Sequence, residues 1–353
     1  MEGVVVLKSK QNKEHFRGCL LGGAIGDALG YPVEFCTKQE ILRIYGEEGI
    51  TELEYDSKDI AEITDDTQMT LFTAEGIIRY ENKREENRAD DVLEEVYRAY
   101  LRWLSTQEDG KKRGASHIYT GELLNIGELY AKRAPGTTCL SALISGRKGS
   151  IDKKINDSKG CGGVMRIAPV GLFYEKDQAF SLGMELAAIT HGHPSAYISA
   201  GALSYMIACI IEGYDLYESV KMALDKIKEE KGYEETFNNL NTAVELYEEN
   251  VSDEIAIGIL GRGWFGEEAL AIAVFCSLKY ESDFKRALIV AVNHSGDSDS
   301  TGALTGNILG AYLGTPKIPR EWRGRIELGD VISHMADILL NFDEEIEEYN
   351  RRK

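Results

Sequence analysis

Phe16-Arg17-Gly18-Cys19-Leu20-Leu21-Gly22-Gly23-Ala24-Ile25-Gly26-Asp27-Ala28-Leu29-Gly30 is the stretch that decides the fold class. Phe16, Cys19, Leu20, Gly23, Ala24 and Ala28 follow the i, i+3, i+4, i+7 spacing of a helix, with Asp27 the polar exception. Gly18, Gly22, Gly26 and Gly30 stand four apart, and so do Gly302, Gly306, Gly310 and Gly314. A row at i, i+4 forms one helix ridge, and a ridge without side chains lets another backbone come close. Each helical glycine costs up to ~1 kcal/mol against alanine, so both rows need a packing purpose. In a membrane they would read as a dimerisation face. Arg17 and Asp27 interrupt the apolar stretch, which favours a tightly packed soluble core. The first and last thirds of the chain are therefore expected to pack centrally.

The same helical period recurs at Met69, Phe72, Thr73, Gly76, Ile77 and Tyr80, and at Val92, Val96, Tyr100 and Trp103. Further helices are expected over 182–190, 196–212, 219–228 and 269–279. Strand signals are confined to 50–55 and Val4–Leu7, and both are weak. An all-α protein is the reading. Residues 81–95 and 225–254, rich in Glu and Lys, read as solvated helix faces and loops. No Pro/Gly/Ser linker divides the 353 residues, so one domain is expected.

Composition narrows the class. Hydrophobic residues make up 43%, enough for a sizeable core. The net charge of −19, from 59 acids against 40 basic residues, argues against nucleic acid as the main partner. No run reaches the ~18 uninterrupted apolar residues of a spanning helix. The short apolar run at the start is too brief for a signal-peptide core. Six cysteines lie far apart with no C-x-x-C pair, which reads as reduced thiols in a cytoplasmic protein.

Each glycine row flanks an acidic motif: Thr64-Asp65-Asp66-Thr67 and Asp297-Ser298-Asp299-Ser300-Thr301. Both precede helical patterns, and Asp or Thr caps helices. Asp65 with Gln68 even fits a capping box. Adjacent acids plus hydroxyls, twice, exceed what capping needs. If the motifs meet, four carboxylates converge, repelling by roughly 4 kcal/mol per pair at ~4 Å and an effective dielectric of 20. A hard divalent cation is the simplest compensation. An EF-hand loop from Asp297 would need Glu at position 308, where Ile308 stands. The aspartate-rich motif of prenyl-diphosphate enzymes would need an acid at Met69. What remains is a set of six oxygen donors, sized for two Mg²⁺ or Mn²⁺ rather than Zn²⁺.

Three other segments carry weaker signals. Lys159-Gly160-Cys161-Gly162-Gly163-Val164-Met165-Arg166 offers backbone N–H groups as a phosphate cradle would, and reads equally as a structural turn. Thr190-His191-Gly192-His193-Pro194 reads first as a helix end before proline, second as a histidine hydrogen bond to substrate, and last as a metal pair. Gly261-Arg262-Gly263-Trp264-Phe265-Gly266 is a loop with two aromatics, for base stacking or for anchoring the loop. His294 and Ser295 beside Asp297 make no nucleophile triad, and His15 and His117 read as incidental.

Together, the run from Phe16 to Gly30, Glu34, Thr64-Asp65-Asp66-Thr67, Gly160–Pro169, His191–Pro194, Gly263–Ala271 and Gly296–Gly302 resemble the ADP-ribosylglycohydrolase family, across about residues 14–315. The resemblance implies a compact, orthogonal multi-helix bundle with two Mg²⁺ or Mn²⁺ in a cleft. It implies Thr64, Asp65, Asp66, Asp297, Asp299 and Ser300 as metal ligands, with Ser300 in the place of a common Thr. Glu34 matches a family acid near the metals, and Glu34 or Asp66 is the expected proton-transfer group. The loop of Gly160, Cys161, Gly162, Gly163 and Val164 matches a segment that holds the diphosphate and neighbouring ribose, with Cys161 in the place of a common Asn. His191 matches a position near the substrate, and Trp264 and Phe265 are expected to border the adenine. The implied activity is metal-dependent cleavage of the C1″ glycosidic bond, releasing ADP-ribose from a modified protein or small ADP-ribosyl conjugate. A cytoplasmic monomer is expected. The rival readings are an ADP-ribose-binding or crystallin-like structural member without turnover, and another bimetal hydrolase such as a phosphoesterase.

Overall fold

The computed structural model describes residues 9–85, 91–107 and 118–352. Sixteen α-helices lie among them. They are α1 (Lys13–Gly30), α2 (Lys38–Tyr45), α3 (Asp65–Glu85), α4 (Val92–Gln107), α5 (Thr137–Ile144), α6 (Ala168–Phe173), α7 (Lys176–Ala188) and α8 (Pro194–Glu212). Then follow α9 (Leu216–Ile227), α10 (Glu234–Glu248), α11 (Asp253–Leu260), α12 (Gly266–Lys279), α13 (Phe284–Val292), α14 (Ser298–Leu313), α15 (Arg320–Arg325) and α16 (Gly329–Arg352). Only two isolated β-bridges occur among the described residues, Ala61 with Ile326 and Gly160 with Phe265. Residues 50–55 form no strand; Val4–Leu7 and His117 lie outside the described residues.

The glycine rows meet as the sequence implies. α1 and α14 run antiparallel, with Gly18 against Gly310, Gly22 against Gly306 and Gly26 against Gly302. A Cβ on any of these six would overlap the carbonyl oxygen of its opposite number. The two helices therefore touch main chain to main chain, closer than the ordinary 8–10 Å axial separation allows. Dispersion contacts along the seam compensate the low helix propensity of glycine. Asn307 locks the register, donating to Cys19 O at 2.9 Å.

This pair positions the site. α1 ends where α14 begins, so Asp27 and Glu34 come beside Asp297, Asp299 and Ser300. α3 starts at the same place with Asp65 and Asp66 in its first turn. α8, apolar along its whole length, has the length and composition of a membrane span. It is enclosed instead, 94% buried by the helices around it. A satellite core gathers Ala243, Leu246, Ile257, Leu260, Ile272 and Phe275 from α10, α11 and α12. Its members from α10, Ala243 and Leu246, fall inside the Glu/Lys-rich stretch read as solvated, on a helix that also buries Leu240 and Val244 in the main core. α7 begins six residues before the sequence pattern implies, because its first turn is the polar Lys176-Asp177-Gln178.

Candidate active site

Asp27 is the organising residue of the acidic cluster. It is fully buried at the end of α1, where a carboxylate is expensive unless hydrogen-bonded. Its oxygens accept from Thr64 N (3.0 Å), Thr67 N (3.2 Å) and Thr67 Oγ1 (2.5 Å). These are donors at the start of α3, so a carboxylate from one helix caps the next. The capping box expected from Asp65 and Gln68 does not form. Gln68 turns into the core, donating to Ala131 O (2.9 Å) and accepting from Trp103 Nε1 (3.1 Å). Asp65 is left free to face the cleft and accepts from Gly136 N at 3.0 Å. That amide follows Ala134, a non-glycine residue at φ +45°, and Arg133 holds the segment through Ile63 O at 2.9 Å.

The carboxy-terminal motif caps itself. Asp297 and Asp299 both accept from Ser300 N, at 3.3 and 2.9 Å. The motifs then touch: Ser300 Oγ donates to Asp66 Oδ2 at 2.9 Å, and Thr64 Oγ1 lies 3.5 Å from Asp299 Oδ2. Cys161 adds its thiol, with Sγ 2.8 Å from Asp297 Oδ2.

The electrostatics follow from burial. Glu34 is pushed up to about 9 and Asp65 to about 8, first by loss of water and then by neighbouring carboxylates. Asp66 and Asp299 are driven well above the usual range for the same reasons. Burial raises Asp297 too, and raises Asp27 to about 6 against the pull of the Thr64 and Thr67 donors. No ion pair to Lys or Arg relieves these six carboxylates among the described residues. Glu34 Oε2 is buried with no hydrogen-bond partner.

The acids line one end of a cleft of about 260 Å³. Glu34, Asp65, Asp66, Asp297, Asp299 and Ser300 all face it, with Gly160, Cys161, Gly162, His191 and Trp264. Thr64 sits beneath them, fully buried. Gly163 packs against Ala187 and Val164 enters the core. Of the loop's amides, Gly160 N donates to Ser158 Oγ, Cys161 N to Trp264 O and Val164 N to Cys161 O. The cradle is thus narrower than the sequence implies. Its centre is Gly162, where a Cβ would meet Cys139 Sγ and the His191 ring. Phe265 turns away from the cleft into a neighbouring groove. Trp264 stacks on Phe35, with centroids 5.8 Å apart and 23° between planes.

His191 is held from behind. Arg166 Nη2 donates to Thr190 Oγ1 (2.7 Å), which lies 2.8 Å from His191 Nδ1. The threonine hydroxyl also reaches Ala187 O at 3.5 Å, so it serves either tautomer of the ring. Nε2 faces Gly160 and Gly162. Burial, and then the Arg166 charge, keep the ring neutral, with a pKa near 3. His193 does not join it; it caps α8 by accepting from Ser195 N. His294 bonds to Thr301, and Ser295 to Lys38 N, so neither forms a triad with Asp297.

The profile of the ADP-ribosylglycohydrolase family matches residues 8–348. The chain belongs to the ADP-ribosylglycohydrolase family. The ADP-ribosylhydrolase ARH3 of Mus musculus is 24% identical over 88% of the chain and 87% of its own length. The ADP-ribosyl-[dinitrogen reductase] glycohydrolase of Rhodospirillum rubrum is 26% identical over 88% and 90%. Among solved structures, an ADP-ribosylglycohydrolase-related protein complex superimposes with a TM-score of 0.65 over 94% of this chain and 98% of its own, at 23% identity. That likeness establishes the shared all-α fold. Asp27, Gly136, Cys139 and Phe35 are site residues that the sequence reading does not single out as such. For Asp27 a signal existed, as the one acid in the apolar run Phe16–Gly30; Phe35 and Gly136 lie outside the α-helices and Cys139 on the short α5, none with a telling spacing.

Proposed function

We propose that this member of the family is a cytoplasmic, divalent-cation-dependent hydrolase that releases ADP-ribose from an ADP-ribosylated target by cleaving the C1″ glycosidic bond. The observation that carries the reading is the meeting of Asp66 with Ser300, 234 residues apart, at 2.9 Å. Nothing in core packing requires six buried carboxylates at one point.

The donor chemistry fits two Mg²⁺ or Mn²⁺. All the candidate ligands, Thr64, Asp65, Asp66, Asp297, Asp299 and Ser300, offer oxygen, and Glu34 Oε2 is an orphaned buried acceptor beside them. The carboxylates are not drawn together as a finished cage: no three His, Cys, Asp or Glu side chains among the described residues close on one ion position. Their raised pKa values express the repulsion that a cation removes. Bound there, such ions supply positive potential toward an anionic substrate and acidify a water.

The protein groups divide the remaining work. Asp66 is engaged by the Ser300 hydroxyl, whereas Glu34 Oε2 is free. Glu34 is therefore assigned as the group that exchanges a proton with the water or the leaving atom. His191 Nε2, in the tautomer that protonates it, and the backbone at Gly162 would hold a diphosphate or ribose oxygen. Trp264, braced by Phe35, offers an aromatic face at the rim. An oxocarbenium-like transition state would gain from the nearby carboxylates, as in glycoside cleavage generally.

Product analysis tests the proposal. Incubation with ADP-ribosylated substrates of defined linkage, with Mg²⁺, Mn²⁺ or EDTA, should yield free ADP-ribose only with metal. AMP plus ribose phosphate would instead mark diphosphate cleavage. Asp65→Asn and Asp299→Asn should each abolish release while leaving the circular dichroism spectrum unchanged; turnover retained in both refutes the assigned centre.

A further inference from the structure

A groove of about 1010 Å³ lies on the far side of the wall that closes the cleft. Trp264 lines both spaces. The wall, residues 261–266, is pinned to the cleft: Cys161 N donates to Trp264 O (3.1 Å), Gly266 N to Lys159 O (2.9 Å) and Asp297 N to Arg262 O (2.8 Å). The opposite border is shared as well. Glu34 and Phe35 face the cleft, and Lys38, just after them, lines the groove with its backbone tied to Ser295 Oγ at 2.7 Å. Groove and acidic cleft end therefore meet at the Phe35–Trp264 stack.

The groove is amphipathic. Leu42, Ile257, Ile289 and Val290 give it an apolar floor, and Phe265, 45% exposed, stands at its edge. Glu47, Glu48 and Glu254 are exposed around the rim. With Asp253 and Glu268 they outnumber Lys38, Arg262 and Arg286, and Arg286 is itself paired with Asp253 at 3.5 Å. In the hydrolase reading above, on which this inference rests, the bond to be cleaved lies among the carboxylates. The side chain that leaves emerges beside Glu34 and Phe35, where the groove begins. A free amino-acid conjugate ends there; a polypeptide continues.

We propose that this groove docks the polypeptide carrying the ADP-ribosyl group, and favours segments with basic and apolar residues around the modified side chain. The substrate is then protein-borne rather than a small metabolite. The carboxylate rim steers basic segments, and the apolar floor holds their aliphatic stems.

Matched substrates test it: free ADP-ribosylarginine and ADP-ribosylserine, and a short lysine-rich peptide carrying each. The double variant Glu48→Lys/Glu254→Lys reverses two exposed rim charges outside the cleft. It should raise KM for the peptide-borne substrate about ten-fold, as two lost and inverted surface pairs imply. Kinetics on the free conjugate should not change. Equal shifts on both substrates, or none on the peptide, overturn the docking site. If the wild type releases no ADP-ribose from either form of either linkage, the hydrolase reading fails instead. Docking is then read from fluorescence anisotropy of the labelled modified peptide. Binding that the double variant loses upholds the groove; binding that it retains, or none by the wild type, overturns it.

Discussion

The two acidic motifs look alike in sequence and are held in different ways. Asp297 and Asp299 sit in a helix start that closes on itself, both accepting from Ser300 N. Asp65 and Asp66 sit in a helix start capped from outside by Asp27, while Asp65 is aimed by an amide from a third segment, at Gly136. The carboxy-terminal half is thus capped from within its own turn, with Arg262 O and Cys161 Sγ as contacts from outside. The amino-terminal half depends on residues 27 and 136, which have no sequence relation to it. Mutations distant from the cleft should therefore damage one half more than the other.

The seam between α1 and α14 is common to both halves, so disturbing it should have the largest effect. Gly306→Leu drives a side chain into the backbone at Gly22. We expect destabilisation of about 3 kcal/mol or more in urea unfolding, as overpacking at a rigid contact implies. Gly258→Leu on α11, where a Cβ meets nothing, should cost little and serves as control.

The contrast is tested most directly by Asp27→Asn. One of the amide's two polar atoms is a donor, which cannot accept from Thr64 and Thr67 as carboxylate oxygens do. Mn²⁺ affinity by calorimetry should fall roughly 10–100-fold, the usual effect of losing a group that orients ligands. Ser298→Ala, at the start of α14, should leave it within about three-fold, because that motif is closed by the Ser300 amide. Equal losses would erase the distinction.

Acidity gives a third handle. Glu34, Asp65 and Asp27 have folded pKa values raised to about 9, 8 and 6. Between pH 4 and pH 9 the folded state holds more protons than the unfolded one, so stability falls as pH rises through this window. The melting temperature in EDTA should drop by several degrees from pH 5 to pH 9, at about 2–4 °C per kcal/mol for a chain somewhat smaller than this one. Saturating Mg²⁺ or Mn²⁺ should remove most of the slope. A flat profile in EDTA would mean that the carboxylates are not in electrostatic conflict.

The smallest effect belongs to Cys161. Cys161→Val removes one weak donor to Asp297, and Mn²⁺ affinity should change by no more than about five-fold, the equivalent of ~1 kcal/mol. Cys161→Asn should recover it, since the amide can donate to the same oxygen.

The sequence told much of this story where spacing carried information. Glycines at i, i+4 in two helices announced a main-chain contact, and paired acids beyond the needs of capping announced a cluster. It failed where geometry comes from loops. Trp264 and Phe265 read as a pair in the sequence, but the segment is extended at residue 265 (φ −102°, ψ 149°), consecutive side chains there point to opposite faces, and only Trp264 lines the acidic cleft. The glycine loop reads equally as a phosphate cradle or a structural turn, and the partners of three of its amides, at Ser158, Trp264 and Cys161 O, are not visible in a linear string. Asp27 was visible as an anomaly in an apolar stripe. Its role needed the third dimension, because the helix it caps begins 38 residues later.

A gap set by side chains varies with every substitution that changes their volume. Where carbonyls abut α-carbons, the distance is fixed by covalent geometry alone. Homologous chains can thus exchange nearly every apolar residue of their interiors and still present their two acidic motifs at one constant separation.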